Sequence, residues 1–322
     1  MTRKLVIDTD GGIDDAVALW WALTAPDVEV VAVVATWGNV ELDVAAANLC
    51  RILDHAGRPD IPVALGTDGP IGPAPLVGIA PHVHGADGLG GYAHHWPTDV
   101  RPVAEAGVDL LARLAAEHPG ELDLVTIGPL STVADAVVAH PEVIDGYRSL
   151  TVMGGSVLAG GNALPWAEAN IGHDPEAAAR VVAAGWATEQ PPLLVGLDVT
   201  TQALLRIDVE IAEAHGSDTV AARMLRDALD MYAGFYATVG QRPVGTFPCH
   251  DLVAVMAAAE APVVTRAPVY PLAVDTGQSA AWGATIADLR PIPESLVEGF
   301  AEWRIALDVD ESLFRAAVSS LF

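Results

Sequence analysis

Lysine is almost missing: Lys4 is the sole lysine among 322 residues, and 16 basic side chains in all face 42 acidic ones, for a net charge of −26. Such a surface repels phosphate backbones and anionic lipid, so nucleic acid and membrane are excluded as partners and cations are favoured. Cysteine is nearly as scarce. Cys50 and Cys249 are the two present and lie far apart, which rules out a disulfide framework or a paired metal or redox motif. Two packed thiols suit a reducing, cytoplasmic setting. No apolar stretch continues for about 18 residues, the length a membrane helix needs, and "MTRKLVIDTD" enters a strand-like run too early for the apolar core of a secretory signal. Charged residues are only 18% against 52% hydrophobic, with no long polar tract. Disorder is excluded, and the whole chain is expected to be globular.

What the chain has is alternation. Strand-like "KLVID", "VEVVAVVAT", "IPVAL", "LDLVTI", "SLTVM" and "PPLLVGL" are separated by helical patterns over 14–24, 41–57, 104–118, 174–184 and 218–240. The expected fold is α/β, a mostly parallel central sheet flanked by helices, with residues 1–322 as a single domain. Several runs are near-continuous Val, Ile and Leu, as in strands covered on both faces. Ligands bind such sheets beyond the carboxyl ends of the strands. Asp8, Asp10, Asn39, Gly128 and Gly154 all follow strand-like runs, so they should share one rim. Two long loops, about 66–103 and 154–173, are rich in Gly, Pro and His and should border the site.

The densest chemistry lies in "LVIDTDGGIDDAVALWWAL", residues 5–23, where four aspartates fall within eight residues around two glycines. Carboxylates that close raise one another's proton affinity unless a cation neutralises them, and the chain offers almost no lysine to do so. A hard divalent metal with oxygen ligands is the natural partner, calcium before magnesium. The spacing is not that of a calcium-binding helix-loop-helix. One aspartate could instead cap the helix while the rest stay solvated. A phosphate loop would need the lysine and hydroxyl that "DTDGGIDD" lacks. "DTDGG" after a strand also looks like the nucleophile motif of haloacid-dehalogenase-type phosphatases, but the downstream lysine those enzymes use is absent.

Five further stretches decide among these readings. "TWGNV" (36–40), "VHGADGLGG" (83–91), "IGPLSTVADA" (127–136), "MGGSVLAGGNALPWAEANIGHDPEAA" (153–178) and "CHDLVAV" (249–255) resemble, in order, the motifs of the inosine–uridine-type nucleoside hydrolases. "VGLDVTTQAL" and the terminal "ALDVDESLFRAAVSSLF" fit as well, so the resemblance spans the chain. It implies a Rossmann-like nucleoside hydrolase fold, hydrolysis of ribonucleosides to ribose and free base, and a homodimer or homotetramer. It also implies a calcium ion held by Asp10, Asp15, Asp251 and the backbone carbonyl of Ile127, with Asp10 activating a water. Asp14, Asn39, Asn162, Glu168 and Asn170 would hydrogen-bond the sugar. His250 would stand near the departing base as its acid, with His84 a secondary candidate there. A calcium-dependent nucleoside or ribose binder without turnover is the alternative in another class.

The chain departs from the family pattern in places. Gly11 stands where proline is common, which should loosen the turn; Ala169 replaces the usual phenylalanine between Glu168 and Asn170; and "LST" follows Pro129 in place of "LTN". These changes spare the implied metal ligands and bear on base selectivity. Glu168 and Asn170, two apart, would point the same way on an extended backbone. Trp166 lies close by. Tyr232 and Tyr236 share a helical face, a pattern more typical of core than of a base pocket.

Overall fold

Each strand-like run named above becomes a parallel strand. In the computed structural model, which describes residues 2–73, 77–239, 243–277, 279–290 and 299–322, these are β1 (Arg3–Thr9), β2 (Val28–Ala35), β3 (Val63–Leu65), β4 (Asp123–Thr126), β5 (Ser149–Met153) and β6 (Leu193–Val195). Beyond β6 lie three strands with no counterpart in the sequence reading: Ala301–Ile305 parallel to it, then Val269–Val274 and Thr285–Ala287, both antiparallel to their neighbours. The nine strands run in the order 285–287, 269–274, 301–305, β6, β5, β4, β1, β2, β3. β1 is thus flanked by β2 and β4, with Asp8 in register with Val34 and Thr126.

Alternate residues of each central strand feed two apolar layers. Leu5, Ile7, Val33 and Val125 face one cluster, and Val6, Val34, Leu124 and Val152 face the other. Helix α1 (Ile13–Thr24) lies in the first layer and is buried from Ile13 to Ala22, which suits a helix apolar all round. It packs on helices Val220–Val239 and His250–Ala258. α2 (Leu42–His55) covers β2 and β3. The expected long loops carry short elements of their own: α3 (Pro81–His84) in the first and helix Ala169–His173 in the second. Residues 74–76 of the first loop, and residue 240 at the end of the expected 218–240 helix, lie outside the described residues.

Candidate active site

Between Thr9, which ends β1, and Ile13, which opens α1, three residues must reverse the chain. Gly11 does so with φ +69°, and a Cβ there would stand 2.7 Å from the backbone of Ala45 in α2. Proline, fixed near −65°, cannot adopt that angle, so the turn is held tightly by α2 rather than loosened. The reversal leaves Asp10 at the strand end and Asp14 and Asp15 in the first turn of α1, where the helix dipole favours carboxylates. Asp15 reaches back to accept the Gly12 N–H at 2.9 Å, and it also accepts the Thr9 hydroxyl. Asp251 occupies the matching first turn of helix His250–Ala258.

All four of these carboxylates are buried, and burial raises the proton affinity of each. Neighbouring carboxylates add to the rise at Asp10, Asp15 and Asp251. One oxygen from each of Asp14, Asp15 and Asp251 lies within 4.8 Å of the others, the one such group among the described residues. Asp10 is absent from this trio. Its Oδ2 accepts the Asn39 backbone N–H at 2.7 Å and its Oδ1 accepts Asn39 Nδ2 at 2.9 Å. The same amide nitrogen lies 3.3 Å from Asp15 Oδ2, so Asn39 spans two like-charged groups. Asp14 Oδ2 accepts the Tyr232 hydroxyl at 3.0 Å, while its Oδ1 is buried without a hydrogen bond, 3.9 Å from His84 Nδ1. Converging carboxylates with one open oxygen fit an ion bound by hard oxygen ligands. Asp8, one turn of the pleat behind, has both oxygens buried and unpartnered, and burial holds its carboxyl well above the usual range.

Four polar groups face these acids. The Ile127 carbonyl, just past β4, accepts Asn170 Nδ2 at 3.1 Å. Glu168 and Asn170 do not share an extended strand. Glu168 caps helix Ala169–His173, accepting the N–H groups of Asn170 at 2.9 Å and Ile171 at 3.1 Å, together with that of Gly155 at 2.9 Å. Three donors would lower its pKa, yet burial outweighs them and pushes it up to about 7. Asn162 uses its Oδ1 to accept the Ala169 N–H at 2.9 Å.

A histidine and two tyrosines line the same cavity as these groups. His250 contacts the Thr200 hydroxyl through Nδ1 at 2.8 Å and the Tyr236 hydroxyl through Nε2 at 3.1 Å. Tyr232 and Tyr236 stack edge to face at 5.0 Å. His84 is of another kind: its Nδ1 accepts the Ile13 N–H at 3.0 Å, and burial lowers its pKa to about 4. That ring is neutral at pH 7 and fixes the start of α1. These groups enclose one cavity of about 750 Å³. Asp14, Asn39, His84, Ile127, Asn162, Glu168, Asn170, His250 and Asp251 line it, and so do Tyr232 and Tyr236, while Asp10 and Asp15 are not part of its lining. Trp166 is exposed and is not part of the wall.

Residues 5–316 match the family described as inosine-uridine preferring nucleoside hydrolase. The chain belongs to this family. It is 33% identical over 300 residues to the inosine-uridine preferring nucleoside hydrolase of Leishmania major, covering 92% of this chain and 91% of that one. To a probable uridine nucleosidase of Oryza sativa subsp. japonica it is 37% identical over 238 residues, 73% of this chain and 68% of the relative. Among solved structures, a plant nucleoside hydrolase superposes with a TM-score of 0.89 at 29% identity, covering 99% and 98% of the two chains. This nucleoside hydrolase is therefore a ribonucleoside hydrolase with the family's mostly parallel sheet.

Sequence reasoning left two cavity groups, Tyr232 and Tyr236, and one partner of His250, Thr200, out of the site. Tyr232 is fully buried yet reaches Asp14, so the core pattern and the pocket pattern coincide on one helical face. Tyr236, one turn on, reaches His250. Thr200 follows β6, and the strand-end rule that flagged Asn39 would have flagged it too.

Proposed function

We infer that the enzyme cleaves the N-ribosidic bond with a water that attacks C1′, and that Asp10, Asp15, Asp251 and the Ile127 carbonyl would hold a calcium ion beside the reacting groups. The observation that carries this reading is the floor of the cavity: the buried carboxylates of Asp14, Asp15 and Asp251 converge there, one Asp14 oxygen makes no hydrogen bond, and among the described residues no lysine or arginine lines the cavity. An all-oxygen set rich in carboxylates favours calcium. Bound there, the cation supplies Lewis acidity toward water and an anchor for the ribose diol.

The chain's own groups do the rest. Asp10, whose proton affinity burial and Asp15 raise, takes the water's proton. Asn39 holds that carboxylate in place through two hydrogen bonds. Asp14 places negative charge beside the ring as positive charge develops on it. Asn162 and Asn170 position the sugar, and Glu168, as a helix cap, positions Asn170. His250 gives the leaving base its proton, with Tyr236 and Thr200 orienting its ring. His84 lines the pocket as a neutral acceptor rather than an acid. Residues 1–322 act as one domain, because both apolar layers share one sheet. Two buried free thiols support a cytoplasmic setting, and among the described residues no helix is long and apolar enough to cross a membrane. Exposed Val269, Ile286 and Leu289 at one end of the sheet support assembly into a homodimer or homotetramer.

Two measurements test the core of this reading. Inosine and uridine incubated with the calcium-loaded enzyme should release reducing sugar, and none should appear with a chelator; no release with calcium would leave only a binding protein. Asp10→Ala should lose both bound calcium and turnover, whereas Asp14→Ala should keep calcium and lose turnover. Calcium retained by the first variant and lost by the second would hand the ligand role to Asp14.

A further inference from the structure

At the amino ends of the parallel strands, opposite the acids, lies a second cavity of about 240 Å³. Arg3 opens β1, Asp123 opens β4, Ser149 opens β5 and Leu193 opens β6, and all four line it, together with Arg148 and with Arg304 of strand Ala301–Ile305. β1, 7 residues long, runs from this cavity to Asp10, which puts the two cavities about 20 Å apart at about 3.3 Å per residue. Three observations set the chemistry of the second one.

The first is charge. Three of the chain's 16 basic side chains line this one small cavity, in a molecule of net charge −26. The carboxylates beside them are not equivalent. Asp123 is 1% exposed, whereas Glu189 and Glu260 are exposed and their charge is screened by water and salt. The three arginines are half-buried, so the sheltered part of the cavity sets three guanidinium groups against one carboxylate. The second observation is that one guanidinium is fixed and another is open. Asp123 accepts Arg148 Nε at 2.9 Å and Arg148 Nη2 as a bidentate pair, and also the Ser149 hydroxyl at 2.7 Å. Arg3 stands 3.7 Å from Asp123 through Nη1 and pairs through Nη2 with the exposed Glu260. The Arg304 guanidinium makes no hydrogen bond or ion pair among the described residues, although its backbone is held in the sheet between Val269 and Leu193. Five N–H donors in a planar fork are therefore left to whatever fills the cavity. The third is size. A volume of about 240 Å³ falls below the roughly 300–1,000 Å³ of sites for drug-sized ligands, so the occupant is compact.

We propose that this cavity is a second ligand site, separate from the active site, which takes one compact dianionic oxyanion of the phosphate type on Arg3 and Arg304 beside the fixed Arg148–Asp123 pair. The guanidinium fork matches the spacing of two oxygens on such an ion, and an excess of sheltered positive charge selects two negative charges over one. The incoming anion displaces Glu260 from Arg3, and an exposed ion pair of that kind contributes little to stability. The distant acidic surface opposes this weakly, because salt screens it beyond about 10 Å. Free phosphate and the phosphoryl group of a small monoester share this chemistry.

Calorimetric titration of the full chain with sulfate at constant ionic strength tests the site. One sulfate should bind per chain with Kd of about 1 mM or below, the affinity that two charge-assisted contacts supply. Nitrate, with one charge, should bind at least about tenfold more weakly. Inorganic phosphate and glycerol 3-phosphate distinguish the two sources: a tighter monoester assigns the site to phosphate esters, and a tighter inorganic ion assigns it to free phosphate. Arg304→Gln should weaken sulfate binding at least about tenfold, while melting temperature and uridine hydrolysis stay at wild-type values, because this side chain pairs with nothing in the free protein. Arg304→Lys, which keeps the charge and loses the fork, should fall between the two and decides the matter if the glutamine variant fails to fold. Arg148 is unsuited to the test, since its removal would leave Asp123 buried without its bidentate partner. Three results would overturn the proposal: no saturable sulfate binding, binding unchanged in both Arg304 variants, or sulfate displaced by saturating ribose, which would put the ion in the active-site cavity.

Discussion

Asp10, Asp14 and His250 show how much a side chain's role depends on its second hydrogen bond. Asp10 is held by two donors from one asparagine, Asp14 keeps one oxygen open, and His250 is held at both ring nitrogens. An imidazole fixed in this way has one orientation, with Nε2 toward the Tyr236 hydroxyl and Nδ1 toward Thr200. His250→Ala should therefore cost about 10²–10⁴-fold on inosine or uridine, whose bases leave poorly without a proton, and little on p-nitrophenyl riboside. An equal loss on both substrates would make His250 a support for the metal site. Tyr236→Phe should reproduce the same contrast more weakly. Glu168 offers a test of burial itself. Its folded pKa of about 7 lies above the ordinary value of 4.5, so the carboxyl stabilises the fold fully when protonated, and that contribution is lost as pH rises from about 4.5 through 7. Wild type should lose up to about 3 kcal/mol relative to Glu168→Gln across that window, a shift of about 2.5 units at 1.36 kcal/mol each. Urea unfolding between pH 5 and 8 reads it, and parallel profiles would contradict it.

At the scale of elements, the site depends on how its loops are tied down. Residues 157–159 donate three backbone N–H groups to the Asp198 carboxylate at 2.7, 2.6 and 2.9 Å, and Thr285 brackets Ser156 through both its N–H and its carbonyl at 2.7 Å. Asp198 follows β6 and Thr285 opens a strand at the edge of the sheet, so a surface loop is anchored to the two-layer scaffold at its root. Hydrogen bonds to a charged acceptor contribute about 1.5–3 kcal/mol each. Asp198→Ala should raise amide exchange at 157–159 at least tenfold, and it should raise KM more than it lowers kcat, because the cavity wall loosens while the acids stay put. A fall in kcat with KM unchanged would place Asp198 in the chemistry instead.

For the whole molecule the governing quantity is charge. Four buried carboxylates at one rim, within a chain of net charge −26, leave the fold short of cations where they matter most. Calcium binding should therefore stabilise the native state strongly. At a free concentration of 100 Kd, linkage gives about 2.7 kcal/mol, which raises Tm by about 4 °C in a chain of this size. Calorimetry with calcium against a chelator measures the shift, and it should vanish in Asp251→Asn. A Tm indifferent to calcium in the wild type would contradict an ion at this site.

The sequence by itself determined the parallel half of the sheet and the turn that gathers the acids. Both follow from neighbour-range physics: near-continuous Val, Ile and Leu mark strands covered on both faces, and "DTDGGIDD" can only reverse sharply and start a helix. It did not reveal the three strands beyond β6, where Pro271 sits inside one strand and the others are short and half-exposed, which blurs the alternation that marks a strand. The tertiary structure alone decided which distant groups meet. Asp15 and Asp251 share one group of acids, Tyr232 reaches Asp14, and Thr200, Tyr236 and His250 form one hydrogen-bonded line from three separate helices. No local pattern encodes such meetings, because they arise from the packing of α1 between helices Val220–Val239 and His250–Ala258 on the shared sheet. Whether Tyr232 belongs to the core or to the pocket was undecidable before that packing, since the same apolar face serves both.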